Sequence, residues 1–460
     1  MTLIKSISGI RGTIGGRSGD GLSPLDVVKF ASAYGQWAKQ RHTGKLKVIV
    51  GRDARISGDM VKNLVIGSLQ GLGIDVINIG LATTPTTEIA VTEEKAHGGI
   101  ILTASHNPKQ WNALKLLNER GEFLTAADGA EVLKIAEDES FVFAEVDDLG
   151  QVTENNTYTD FHVQHVLDLE MVDVEAIKKA NFTVAIDCVN SVGGIAIPAL
   201  LKALGITNTL ELYCEPNGHF PHNPEPLPEN LTEISKLIKD KKADVGFVVD
   251  PDVDRLAIIN EDGSMFGEEY TLVAVADYLL SNKVGNTVSN LSSSRALADV
   301  TRSFGGEYQP AAVGEVNVVA KMKEIGAVIG GEGNGGVIYP ESHYGRDSLV
   351  GIGLFLSHLA KSKLKCSELR AKYPEYHISK NKIELTPEID VDGILKSIEK
   401  KYQNENINTI DGLKIDFPEK WVQLRKSNTE PIIRIYAEGK SEDIADKLAQ
   451  TIIDDIKALI

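Results

Sequence analysis

At 460 residues, 42% hydrophobic and 25% charged, the chain has the make-up of an ordinary globular protein, and its length calls for roughly three or four domains rather than one core. A formal charge of −17 excludes a general binder of nucleic acid or anionic membrane, because polyphosphate surfaces demand a basic face. A small phosphorylated ligand held by a few local arginines is still admitted. No stretch is long and apolar enough for a membrane-spanning helix, the first residues lack a signal-peptide pattern, and Cys188, Cys214 and Cys366 have neither metal-type spacing nor an even count. A cytoplasmic protein with reduced thiols, with no membrane or nucleic-acid partner, is expected.

From the N-terminus, Ser23 reads as an N-cap with Pro24 at the first helical position, after which Leu25, Val28, Ala31, Tyr34 and Ala38 share one face. The apolar runs Leu46–Val50, Phe182–Ile186 and Val245–Val249 each stop at Gly or Asp and alternate with helix-like segments. That pattern predicts α/β units in series. Near the C-terminus Ile432–Tyr436 reads as a strand, and Ser441 caps a helix with the stripe Ile444, Leu448, Ile452, Ile456 and Leu459. A separate α+β module therefore closes the chain. The expected domains are residues 1–150, 151–250, 251–370 and 371–460.

Four polar motifs interrupt this pattern. The apolar run Gly99–Leu102 ends in Thr103-Ala104-Ser105-His106-Asn107-Pro108, so a strand presents one serine rigidly. His106, Asn107, Asn112 and Lys115 surround it with groups that bind phosphate oxygens or move protons. No G-x-S-x-G elbow is present, which argues against a serine hydrolase. Downstream, Asp250, Asp252 and Asp254 alternate in Asp-Pro-Asp-Val-Asp-Arg, and carboxylates that close repel unless a cation neutralises them. An EF-hand would place Glu261 at its twelfth position, but Arg255 stands where that loop needs glycine and both flanks read as strands. Mg²⁺ suits phosphoryl transfer better than Ca²⁺, with Arg255 beside the metal and steadying phosphate charge.

Gly331-Glu332-Gly333-Asn334-Gly335-Gly336 matches G-x-G-x-x-G, yet a strand-like run follows where a dinucleotide fingerprint needs a helix. An exposed loop in which Glu332 and Asn334 meet sugar hydroxyls fits better. Finally, Arg425, Ser427, Asn428 and Thr429 combine a guanidinium, hydroxyls and an amide suited to a phosphate dianion. Arg434, on the strand beyond, joins this substrate-binding group.

Taken jointly and in this order, the four motifs resemble those of the α-D-phosphohexomutase family over essentially the whole chain, most like its archaeal-like phosphoglucosamine and phosphomannose branch. The resemblance implies three similar mixed α/β domains and a smaller C-terminal α+β domain around a central active-site cleft. It implies that Ser105 carries a phosphoryl group, that Asp250, Asp252 and Asp254 bind Mg²⁺ together with the serine, and that Glu332 and Asn334 bind the sugar. Gly9-Ile10-Arg11-Gly12 matches the family's opening motif, making Arg11 a phosphate contact, and Lys115 falls where the family has an active-site lysine, a candidate general acid/base. One departure stands out: many members read G-E-x-S-G-H, whereas this chain has Asn334 for the serine and Gly336 for the histidine. Val313–Asn317 belongs to the sugar-recognising region, and Glu315 there suits a substrate ammonium.

The resulting expectation is an intramolecular phosphotransferase interconverting glucosamine 6-phosphate and glucosamine 1-phosphate, with glucosamine or glucose 1,6-bisphosphate as activator, acting as a monomer or homodimer. The alternatives are a phosphomannomutase or phosphoglucomutase, a metal-dependent sugar-phosphate phosphatase, and a non-catalytic sugar-phosphate sensor.

Overall fold

The computed structural model describes every residue except 1, 7–8, 385, 387–388, 427–431 and 460. The chain divides into two compact units, Met1–Thr271 with Asn334–Leu369, and Leu272–Gly333 with Arg370–Ile460.

The first unit holds two sheets. One has seven strands, in the order Leu3–Ser6, Gly9–Thr13, Trp111–Leu117, Gly99–Leu102, Lys47–Arg52, Asp75–Leu81 and Val152–Glu154. Its last four members run parallel to one another, as expected for strands separated by helices. The apolar run expected as a strand at Leu46–Val50 is one of them. The second sheet orders Leu256–Asn260, Val245–Val249, Thr183–Asp187 and Asn208–Leu212. Residue 250, expected to end the second domain, lies in the turn of a hairpin within this sheet, since Val245–Val249 pairs antiparallel with Leu256–Asn260. Likewise Val152–Glu154, beyond residue 150, belongs to the first sheet.

The helix after Ser23 forms as its cap dictates. Ser23 and Asp26 make a reciprocal capping box, with Pro24 opening the helix Pro24–Arg41. Its buried face differs from the expected one. Leu25 is 69% exposed and Val28 half-buried, while Val27, Phe30, Ala31, Tyr34, Trp37 and Ala38 are buried. The stripe is rotated because the large rings of Phe30 and Trp37 dominate the area removed from water, and Tyr34 anchors it by donating to the Leu117 carbonyl at 2.7 Å.

In the second unit, Tyr308–Ala311, Thr287–Asn290 and Ile329–Glu332 are parallel neighbours. A five-stranded antiparallel sheet, His377–Glu384, Ile432–Gly439, Trp421–Lys426, Leu413–Asp416 and Asn406–Asn408, packs under the helices Val391–Lys401 and Glu442–Lys457. Ser441 caps the last helix as expected. Leu448, Ile452 and Ile456 are buried, with Ala445 and Ala449 completing the stripe, whereas Ile444 and Leu459 at its ends are largely exposed. The three cysteines are free thiols, Cys188 and Cys366 buried and Cys214 partly so. Among the described residues no helix is long and apolar enough to cross a membrane.

Candidate active site

The strand Gly99–Leu102 is wholly buried, and the loop it feeds is held from beneath. Ser105 sits at φ 49°, a left-handed conformation that costs a non-glycine residue about 1 kcal/mol and persists only when surroundings over-determine it. They do. The Ser105 N–H donates to Thr103 Oγ1 at 3.0 Å, and Thr103 Oγ1 donates to Asp53 Oδ2 at 2.7 Å. Arg55, 1% exposed, donates to the carbonyls of Ser105 (2.5 Å), Asn107 (2.6 Å), Pro108 (2.8 Å) and Trp111 (3.0 Å). Its Nε bonds Asp53 at 3.0 Å. One planar guanidinium thus splints the whole loop. Arg55→Ala should lower kcat about a hundredfold by letting the serine drift, with a smaller effect on substrate affinity; steady-state kinetics decide, and an unchanged kcat would remove Arg55 from this role.

Ser105 Oγ donates to Asp250 Oδ2 at 2.8 Å and lies 3.3 Å from His106 Nδ1. Burial, with Arg255 and Arg11 nearby, pushes the His106 pKa down to about 2. His106 is therefore a neutral imidazole beside the hydroxyl. Arg11 donates to Asn107 Oδ1 at 2.9 Å, and Arg255 reaches Glu225 at 3.4 Å.

The aspartates occupy the turn of the hairpin, where Val253 is held at φ 64°, strained for a β-branched residue. Asp250 Oδ1 accepts from the N–H groups of Asp254 and Arg255, both at 3.2 Å. The loop is clamped from three other segments: Ser191 Oγ donates to the Pro251 carbonyl, Thr84 N–H to that of Asp252, and Ser348 N–H to that of Val253. Ligand oxygens of Asp250, Asp252 and Asp254, all buried, lie within 4.8 Å of one another.

Their outer oxygens are taken. Lys115 Nζ bonds Asp252 Oδ2 at 2.6 Å and reaches Asp254 Oδ2 at 3.4 Å; Thr84 Oγ1 donates to Asp252 Oδ2 at 2.6 Å; Arg346 Nη2 bonds Asp254 Oδ2 at 2.7 Å. Asp252 Oδ1 and Asp254 Oδ1 are buried without a hydrogen-bond partner. Orphaned carboxylate oxygens in a clamped, all-oxygen cluster fit a hard divalent cation. Burial, then the neighbouring Asp252 and Asp254, raise the Asp250 carboxyl well above its usual range. Burial alone would also raise Asp252, but Lys115 and Thr84 hold it below. Burial opposes the charge on Lys115 too, yet Asp252 and Asp254 outweigh it and raise its pKa. Among these carboxylates Lys115 is held in its charged, ammonium form.

In the second unit Glu332 ends the strand Ile329–Glu332 and is 5% exposed, not the exposed loop residue expected. Its Oε1 accepts from Asn290 Nδ2 at 2.8 Å and from the Gly314 N–H at 3.1 Å. The strand Ile329–Glu332 takes in the first two residues of the glycine-rich stretch. Glu315 opens the helix Glu315–Ile325 and is 8% exposed, so it is no ordinary surface charge. Asn334, in the first unit, is half-buried and accepts from the Gly336 N–H at 3.3 Å. Arg425 and Arg434 stand directly opposite in the antiparallel pair Trp421–Lys426 and Ile432–Gly439. Like charges so placed call for a neighbouring anion, and Arg425 has one in Asp411, at 3.1 Å. Ser427, Asn428 and Thr429 lie outside the described residues.

Residues 3–143, 160–263 and 267–376 match the phosphoglucomutase/phosphomannomutase alpha/beta/alpha domains I, II and III, and residues 382–455 match the C-terminal domain of the same family. The chain belongs to the phosphoglucomutase/phosphomannomutase family. It is 36% identical over 440 residues to the phosphoglucomutase/phosphomannomutase of Thermococcus kodakarensis, covering 94% of this chain and 95% of that one. It is 32% identical to the phosphoglucosamine/phosphogalactosamine mutase of Sulfurisphaera tokodaii over 98% of both chains. The crystal structure of a phosphoglucomutase/phosphomannomutase family protein from Burkholderia thailandensis superposes with a TM-score of 0.85 at 26% identity, covering 99% of this chain and 98% of the other. The fold is therefore three similar α/β domains and a C-terminal one, and the chain is an intramolecular phosphotransferase of this phosphohexomutase family.

Against the family pattern, the glycine at 336 has a local explanation. A Cβ there would lie 2.3 Å from Arg346 Cδ, so the arginine that grips Asp254 occupies the space a side chain at 336 would need. Arg346, Arg55, Asp53 and Thr84 escaped the sequence reading. Gly51-Arg52-Asp53-Ala54-Arg55 and Gly345-Arg346-Asp347, each an Arg-Asp pair directly after a glycine, are the signal available for the first three.

Beside Arg346 lies a buried polar network. Asp347 caps the helix Ser348–Ser362 and takes His162 Nε2 at 2.8 Å and His343 Nε2 at 3.1 Å; His343 Nδ1 is 3.2 Å from Glu88. Burial alone would lower the His343 pKa, but Asp347 and Glu88 raise it to about 10. A histidine raised in the folded state adds stability that is complete below its ordinary value of 6.5 and is lost as pH rises through about 10. The urea midpoint should accordingly fall between about pH 7 and about pH 10, and His343→Gln should flatten that fall. An equal slope in the variant would show that His343 does not carry it.

Proposed function

We propose that this family member interconverts glucosamine 6-phosphate and glucosamine 1-phosphate through a phosphoserine at Ser105 and a 1,6-bisphosphate. The observation that carries the reading is Ser105 Oγ, bonded to Asp250 at 2.8 Å beside the orphaned oxygens of Asp252 and Asp254. A hydroxyl so placed shares its metal site with whatever phosphoryl group it bears.

Transfer breaks the bond between phosphorus and Ser105 Oγ and forms one to a free sugar hydroxyl. The bisphosphate turns over, and its other phosphoryl group returns to the serine. When bound by Asp250, Asp252 and Asp254, Mg²⁺ supplies positive charge against that building on the transferring oxygens. In each transfer the proton of the attacking hydroxyl ends, in net, on the oxygen that phosphorus leaves, and neutral His106, 3.3 Å from Ser105 Oγ, is the group placed beside that hydroxyl. Lys115, held as an ammonium, can protonate a departing oxygen. Arg11 and Arg255 neutralise phosphate charge. Glu332 and Asn334 hold sugar hydroxyls in either orientation, and Arg425 and Arg434, with Ser427, Asn428 and Thr429, grip the phosphate that is not transferring.

Two observations favour the amino sugar. Glu315 is buried at a helix start in the sugar-recognising region, where a carboxylate can meet an ammonium, and several relatives are phosphoglucosamine mutases by name. An acidic chain with free thiols suits the cytoplasm. The test is ³¹P NMR of the protein with Mg²⁺, trace hexose 1,6-bisphosphate and, separately, glucosamine, mannose and glucose 6-phosphates. A 1-phosphate resonance growing fastest from glucosamine 6-phosphate is expected. Fastest growth from another sugar overturns the specificity, and inorganic phosphate alone overturns the mutase reading.

A further inference from the structure

One acidic residue joins the two halves of the substrate site in the second unit. Asp411 lies in the turn between the strands Asn406–Asn408 and Leu413–Asp416. Gly412 beside it adopts φ 74°, and a Cβ there would lie 2.2 Å from the Leu424 carbonyl oxygen. The Asp-Gly pair therefore fixes the turn tightly against the strand that carries Arg425. From that turn the carboxylate reaches two ways. Oδ1 accepts from Arg425 Nε at 3.2 Å, with Oδ2 at 3.1 Å, and Oδ2 also accepts from the Val313 N–H at 3.0 Å. The Asp411 carbonyl accepts from Gln423 Nε2 at 3.0 Å, bracing the turn from the same strand. Val313 precedes Gly314, whose N–H holds Glu332 Oε1 at 3.1 Å.

We propose that Asp411 is a positioning residue that couples phosphate recognition to sugar recognition. It orients Arg425 through Nε, so that the terminal fork of the guanidinium is turned to a phosphate. Through Val313 it also fixes the loop that sets Glu332. Its charge also offsets that of Arg425, which faces Arg434 across the strand pair. A substrate whose phosphate sits correctly on Arg425 thereby meets a sugar loop already in place, and an ill-fitting one disturbs both. The inference rests on the reading of Arg425 as a phosphate ligand.

The experiment compares Asp411→Asn, Asp411→Ala and Arg425→Gln in the full chain, by steady-state kinetics and by calorimetric titration with glucosamine 6-phosphate. Asp411→Asn keeps an oxygen for Val313 but loses the charge toward Arg425; it should raise KM and Kd about tenfold with kcat nearly unchanged. Asp411→Ala releases Val313 as well and should lower kcat in addition. In the Arg425→Gln background, Asp411→Asn should add no further loss in Kd, because the pair acts as one. An unchanged or tightened Kd in Asp411→Asn, or full additivity with Arg425→Gln, would overturn the coupling. If Arg425→Gln alone left Kd unchanged, the phosphate assignment itself would fall. A purely structural role would lower thermal stability in step with KM and leave the double variant additive.

Discussion

Ser105→Ala should lower turnover by about a thousandfold or more while sugar-phosphate binding survives. The magnitude follows from chemistry rather than packing. Without Oγ the enzyme has nowhere to hold the phosphoryl group between its two transfers, and covalent catalysis is lost outright. Binding should persist because the loop is set by Thr103, Asp53 and Arg55, which contact the Ser105 backbone and its neighbours rather than its hydroxyl. The variant should therefore fold, bind glucosamine 6-phosphate with little change in Kd, and accept no phosphoryl group from hexose 1,6-bisphosphate. Turnover equal to wild type would remove Ser105 from the mechanism.

Stripping the divalent cation should have an effect of similar size. The three carboxylates of Asp250, Asp252 and Asp254 converge within 4.8 Å, and Lys115 and Arg346 neutralise only their outer oxygens. The orphaned Asp252 Oδ1 and Asp254 Oδ1 leave the inner face uncompensated until a cation arrives. Chelation should abolish turnover, and adding Mg²⁺ at about 100 times its Kd should stabilise the fold by about 2.7 kcal/mol, read as a rise in melting temperature. Asp252→Ala should lose both the activity and the Mg²⁺-dependent rise. Arg346→Gln should keep the site but weaken Mg²⁺ binding, because Asp254 loses the partner that orients it. A melting temperature indifferent to Mg²⁺ in the wild-type protein would mean that the cluster holds no metal.

How far the sequence carried the account depended on whether partners were near in the chain. The serine loop, the aspartate trio and the capped helices are contiguous signals, and each strand predicted around them formed. The supports were hidden because they meet these motifs only through the fold: Arg55 reaches the serine loop some 50 residues on, and Arg346 reaches Asp254 across 92 positions. Residue type said nothing of that pairing. The helix Pro24–Arg41 shows a second limit. Its periodicity was legible, but two overlapping stripes competed, and the one with Phe30 and Trp37 won because aromatic area dominates burial. Glu332 shows a third: a glycine-rich stretch reads as a loop, although its first residues extend a strand that buries the carboxylate.

The most direct test of the central claim is a single-turnover experiment on the phosphorylated enzyme. Protein treated with hexose 1,6-bisphosphate and Mg²⁺ would be freed of small molecules, mixed with one equivalent of glucosamine 6-phosphate and quenched. Peptide mass spectrometry would follow Ser105 while ³¹P NMR follows the sugar. Phosphate is expected to leave Ser105 as glucosamine 1,6-bisphosphate appears, in equal amounts. Phosphate on another residue, or its release as inorganic phosphate with no bisphosphate formed, would contradict it.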